Sequence, residues 1–250
     1  MGREERASLL RQPGLLDSDG VDPADLQRYL TQHLRFTAGT ETRYRSSIIC
    51  AAPTWQHLAA GLPIGRRFHS APVIRLADAR PLQIGHVARA DGRWRLYVFT
   101  SDEDPGAPSS RLHALCTFLT ASPRSPIRRF TPPDADIDAV IDLRSIFQQG
   151  HRDLDLGAMP SLLMPSKGRY ELHDYEKMFC PDRRLGHDIF DLRGIDRDQG
   201  CIVIVRPDQT PAGRPRCTRW LLRRLHAPGS VASPPTIFWV RCLRCFWSRE

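Results

Sequence analysis

The stretch CIVIVRPDQT (201–210) decides the reading of the fold. Cys201 to Val205 are apolar and mostly β-branched, the pattern of a strand buried on both faces. Arg206, Pro207 and Asp208 follow as a turn. A strand of this kind needs neighbours, and a turn this soon announces a hairpin partner. The next residues, TPAGRPRCTRWLLRRLHAPGS (210–230), have no strand character, so the chain prepares a hairpin and then changes.

Upstream of that strand the pattern is regular. In RWRLYVFT (93–100), Trp94, Leu96 and Val98 alternate with Arg95, Tyr97 and Phe99, which suits a strand buried on at least one face. Asp91-Gly92 before it reads as a hairpin turn. SSRLHALCTFLTAS (109–122) reads as a helix capped by Ser109 or Ser110, with Leu112, Leu115, Cys116 and Leu119 on its core stripe. A proline-rich break leads to a second strand in DIDAVIDLRSIF (136–147), and residues 151–184 read as irregular. Near the start, VDPADLQRYLTQHLRF (21–36) reads as a helix capped by Asp22, with Leu26, Tyr29, Leu30, His33 and Leu34 on one stripe. Strand, helix, strand, an insertion and a further strand make an α/β arrangement.

Composition bounds the function classes. The chain has 250 residues, 41% hydrophobic and 26% charged, as an ordinary globular protein does. No stretch approaches the roughly 18–20 apolar residues that span a bilayer. MGREERASLL, the first ten residues, lacks the apolar segment of a secretory signal, and a cytoplasmic location is expected. The formal charge of +8 is unevenly placed: residues 210–250 hold eight arginines against Glu250 alone, a net +7, which leaves +1 for residues 1–209. Nucleic-acid binding through the basic tail is therefore the weakest of the functional readings. The tail also carries three of the five Trp and three of the seven Cys, and no Asp or Lys. GC-rich DNA translated out of frame or through an intron gives such a composition. Residues 210–250 are expected to be disordered or foreign to the rest of the chain.

No motif names a chemistry. Cys50, Cys116, Cys180 and Cys201 lie far apart, and the single CxxC, Cys242 to Cys245, sits in the atypical tail rather than between an early strand and its helix. A zinc site would need a second ligand pair. There is no GxGxxG, whose glycines let backbone N–H groups approach a pyrophosphate. His173-Asp174 and His187-Asp188 are adjacent pairs with no triad spacing, and Arg128-Arg129 and Arg183-Arg184 read as solvated surface. The expectation is that no catalytic, cofactor-binding or metal-binding residue is present.

A resemblance goes further. GRRFHSAPVIRLADARPLQIGHVARADGRWRLYVFTSD (65–102) and FDLRGIDRDQGCIVIVRPDQ (190–209) resemble the C-terminal domain of the phenol 2-monooxygenase family of flavin-dependent aromatic hydroxylases. RFTAGTETRYRSS (35–47) resembles the end of the flavin and substrate domain that precedes it. The resemblance implies a thioredoxin-like domain without redox cysteines at 62–209. It implies a short helical remnant of the flavin/substrate domain at 1–61, with its helix at about 22–36. A role in dimerisation or structural support is implied, with a second copy or the upstream flavin domain as partner and neither nucleic acid nor membrane. FAD and NADPH would serve the full-length family member and neither would be bound by this chain, so whether the chain is itself an enzyme stays open. A stand-alone, non-catalytic interaction module is the alternative. In the family the strand after Arg-Pro-Asp-Gln returns as a hairpin partner; here Thr210, Pro211, Ala212 and Gly213 stand instead.

Overall fold

The computed structural model describes residues 22–37, 39, 41–47, 50, 52, 54–184, 186–209 and 240–241. The chain divides between Thr42 and Arg43. In the first part, α1 (Pro23–Thr37) begins where Asp22 Oδ1 accepts the Ala24 N–H at 2.9 Å. Its leucine stripe, Leu26, Leu30 and Leu34, is exposed.

The second part is a mixed α/β body built on one sheet. Its strands are β1 (Pro72–Arg75), β2 (Pro81–Gln83), β3 (Trp94–Phe99), β4 (Ile141–Ile146), β7 (Met178–Pro181), β8 (Cys201–Val205) and β9 (Val240–Arg241), in the order β2-β1-β7-β4-β3-β8-β9. A separate two-stranded hairpin holds β5 (Ser166–Lys167) and β6 (Leu172–His173). β3, β4 and β7 run parallel to one another, and β1 and β8 pair antiparallel to β7 and β3. Every residue of β3 and β8 is buried, as a central pair with both faces covered requires.

Two cores flank the sheet. On one face Tyr97, Phe99, Phe179 and Val203 meet Leu58, Leu62, Phe68 and Phe190. Phe68 stacks on Tyr97 at 4.6 Å, and Phe190 meets Phe99 edge-on at 5.6 Å. On the other face Leu96, Val98, Leu143 and Ile204 pack on α3 (Arg111–Ala121) and α4 (Pro126–Phe130) through Leu112, Leu115, Leu119 and Ile127. Burying each such side chain contributes about 1.5–3 kcal/mol. Ser110 Oγ accepts the His113 N–H and starts α3; α4 follows from Ser125 with Pro126 in its first turn. A four-residue helix, α2 (Ile84–Val87), leads toward β3, and α5 (Ile189–Arg193) opens on a capping box between Asp188 and Asp191.

Several expectations need correction. Asp91-Gly92 is a turn but not a hairpin: β3 pairs with β4 and β8, and β2 pairs with β1. The second strand starts at Ile141, because Asp136 to Val140 form turns. Residues 151–184 are not wholly irregular, since they supply β5, β6 and β7. The outer edge of β8 is not bare. It is paired over two residues by β9, with Ile202 opposite Arg241 and Val203 opposite Val240. The partner comes from far along the tail instead of from the turn at Asp208. The expectation about residues 210–239 and 242–250 lies outside the described residues.

Candidate interaction surface

The four body cysteines are buried. Burial pushes the Cys116 and Cys180 thiols up to about 12, far from the thiolate that redox chemistry needs. Among the described residues no group of three or more His, Cys, Asp or Glu side chains could hold a metal ion. No helix there is long and apolar enough to cross a membrane. His113 and His173 contact the carbonyls of Ala158 and Met164 at 3.1 and 3.0 Å. Arg184 is exposed but fixed on the Asp182 carboxylate, and Arg183 reaches the Gln148 carbonyl.

The turn from β3 into α3 tests the fit of a dinucleotide. It carries Asp102, Glu103 and Asp104, and Glu103 Oε1 already accepts the Arg111 N–H at 3.0 Å. Ser110 Oγ takes the His113 N–H at 3.2 Å. Three acids and a capped helix start repel a pyrophosphate, which needs free N–H donors. That turn is not built as a pyrophosphate cradle.

The charged residues instead build a buried network at one end of the sheet. Arg95 and Asp142 face each other across β3 and β4, and Lys177 lies just before β7; all three are 1% exposed. The Lys177 ammonium binds Asp142, stands 2.5 Å from Asp138 Oδ2 and 3.7 Å from Asp174 Oδ2. Arg144 Nε donates to Asp142 Oδ2 at 2.8 Å, and Arg95 Nη2 reaches both Asp91 oxygens at 2.8 Å. Burial pushes the Asp142 carboxyl up, yet Arg144 and Lys177 together outweigh it and hold the carboxyl below its ordinary range. Alternation along β3 predicts that Arg95 shares a face with Tyr97 and Phe99, but nothing in the local sequence identifies Asp142 as its distant partner.

This network anchors the β5–β6 hairpin. Lys167 Nζ, at the end of β5, contacts Asp138 Oδ2 at 2.7 Å and Asp174 Oδ2 at 2.6 Å. The Gly168 N–H donates to Asp136 Oδ1 at 2.8 Å, and the Asp174 N–H to the Pro165 carbonyl at 2.9 Å. Desolvation lowers the Lys167 ammonium, but the two carboxylates more than compensate and raise it. Beyond this fixed base the tip stands in solvent. Tyr170 is 70% exposed and Leu172 69%, with Tyr175 beside them at 42%. The Arg169 guanidinium lies 4.5 Å over the Tyr170 ring. Large apolar side chains held in water on a braced hairpin make this tip a candidate interaction surface.

A family model described as "Phenol hydroxylase, C-terminal dimerisation domain" matches residues 42–212. The chain is 53% identical over 191 residues to a 3-hydroxybenzoate 4-monooxygenase of Comamonas testosteroni, covering 76% of this chain and 30% of that protein. It is 34% identical over 200 residues to the FAD-dependent monooxygenase terD of Aspergillus terreus, covering 78% and 32%. It is 27% identical over 191 residues to the phenol 2-monooxygenase fsqG of Aspergillus fumigatus, covering 73% and 30%. The chain thus spans about 30% of the length of these relatives.

Proposed function

Because this chain belongs to the phenol hydroxylase C-terminal dimerisation domain family, we propose that it pairs with a second copy of itself and supports the chemistry of a flavin-dependent aromatic monooxygenase without performing it. The match over residues 42–212 carries this reading. It is supported by buried ionisable side chains, Lys177, Asp138 and Asp142, that are paired with one another, and by a β3–α3 turn that carries three acids.

Within the chain we assign 62–209 to a thioredoxin-like domain and 1–61 to the end of a preceding flavin and substrate domain. The parallel β3–α3–β4 unit followed by antiparallel β8 and β9 supports the first assignment, since thioredoxin-like sheets are built in that order. A redox pair in such a fold would sit at the start of α3, where Ser109, Ser110 and Arg111 stand. In the full-length enzyme FAD, reduced by NADPH, would supply the oxygen-transfer chemistry, with a phenolic ring as substrate. The residues of this chain supply self-association and packing.

Flavin content tests the supporting role. The purified chain of 250 residues should emerge from desalting with no flavin absorbance, alone or after incubation with FAD. About one equivalent of retained flavin would overturn the reading.

A further inference from the structure

We propose that the tip of the β5–β6 hairpin is the two-fold contact of the homodimer, with Tyr170 and Leu172 meeting the same residues of a second copy. The inference rests on the dimerisation reading above and names the surface for it.

Three observations select this hairpin. Its base is immobilised: Lys167 is tied to Asp138 and Asp174, and Gly168 to Asp136. The tip is therefore presented in one conformation and loses little entropy on docking. Tyr170 and Leu172 are the two most exposed large apolar side chains among the described residues. An aromatic anchor beside an aliphatic one, ringed by polar groups, is the composition of an interface hot spot.

The third observation chooses the occupant. Arg169 and Glu171 flank Tyr170, one residue to either side, and residues 168–171 are exposed. A two-fold axis near Tyr170 places residue 169 of one chain against residue 171 of the other, and does so twice. Opposite charges at these two positions make the tip complementary to itself. An isologous contact needs this property, whereas binding an unrelated partner does not. A stable dimer buries about 800 Å² per partner, more than the tip of one short hairpin provides, so the hairpin serves as the anchor of a wider contact.

Sedimentation equilibrium on the full chain tests this, with circular dichroism and melting as controls for folding. Tyr170→Ser with Leu172→Ser should weaken self-association at least about tenfold and leave the melt of the body unchanged. Arg169→Glu and Glu171→Arg should each weaken the homodimer, because each sets like charges against one another. Mixing these two variants should restore dimers, since each then meets opposite charges. If the wild type dimerises and all the variants dimerise as tightly, the hairpin assignment fails and the dimerisation reading stands. If the wild type is monomeric throughout, both fail.

Discussion

Lys177 Nζ lies 2.5 Å from Asp138 Oδ2, and both side chains are buried, at 1% and 3% exposure. The same ammonium binds Asp142 on β4. One cation thus ties the approach to β7 both to β4 and to the turn before it, and Asp138 passes the constraint to Lys167 at the base of the hairpin. Taking these charges out of water is costly, and only the completeness of the network offsets the cost.

Removing one member should therefore be severe. Lys177→Met leaves Asp138 and Asp142 facing a buried apolar chain. A loss of about 3–5 kcal/mol is expected, against a whole-domain stability of about 5–15 kcal/mol. Urea unfolding measures it. Lys177→Met combined with Asp142→Asn should lose less than the sum of the single changes, because the two residues interact directly.

Acid should attack the same network. The folded Asp142 carboxyl is held below its ordinary value of 3.8 by Arg144 and Lys177, against the opposing effect of burial. A depressed carboxyl contributes stability above its unfolded pKa, and that contribution fades as pH falls through the folded pKa. Wild-type stability should decline below about pH 4. Asp142→Asn should be less stable at neutral pH but flatter through this range. A variant curve parallel to the wild type would show that Asp142 does not titrate as described.

The thiols give an independent check on the body. Cys50, Cys116, Cys180 and Cys201 are all buried, and burial pushes Cys116 and Cys180 up to about 12. At pH 8 an aromatic disulfide reagent should modify Cys50, Cys116 and Cys180 only after denaturant is added, as mapped by mass spectrometry. Modification of Cys116 under native conditions would mean that α3 does not pack as described.

The parts of this fold written in local pattern were legible from the sequence. The run of β-branched residues at 201–205 is β8, and the Leu112, Leu115, Leu119 stripe buries α3 as its spacing predicts. Elements set by distant partners were not. β7 is a four-residue MFCP segment ending in Pro181, and it becomes a strand only because β1 and β4 lie on either side. Asp91-Gly92 has the sequence of a hairpin turn, yet Asp91 there accepts from Arg95 while both neighbours of β3 come from later in the chain. The proposed interaction surface was hidden for a related reason. Residues 166–173 carry too few apolar positions to show a period, and the lysine and aspartates that brace them span 136–177. The place of β9 could not be read either, since it closes on β8 across some thirty residues.

The central claim is that this chain is a dimerisation module, and its mass in solution tests that claim most directly. Sedimentation equilibrium of the full chain, across protein concentrations at neutral pH, should fit one species of twice the 28.4 kDa chain mass. A single species of 28.4 kDa at every concentration would contradict the account. So would polydisperse assemblies with no discrete dimer.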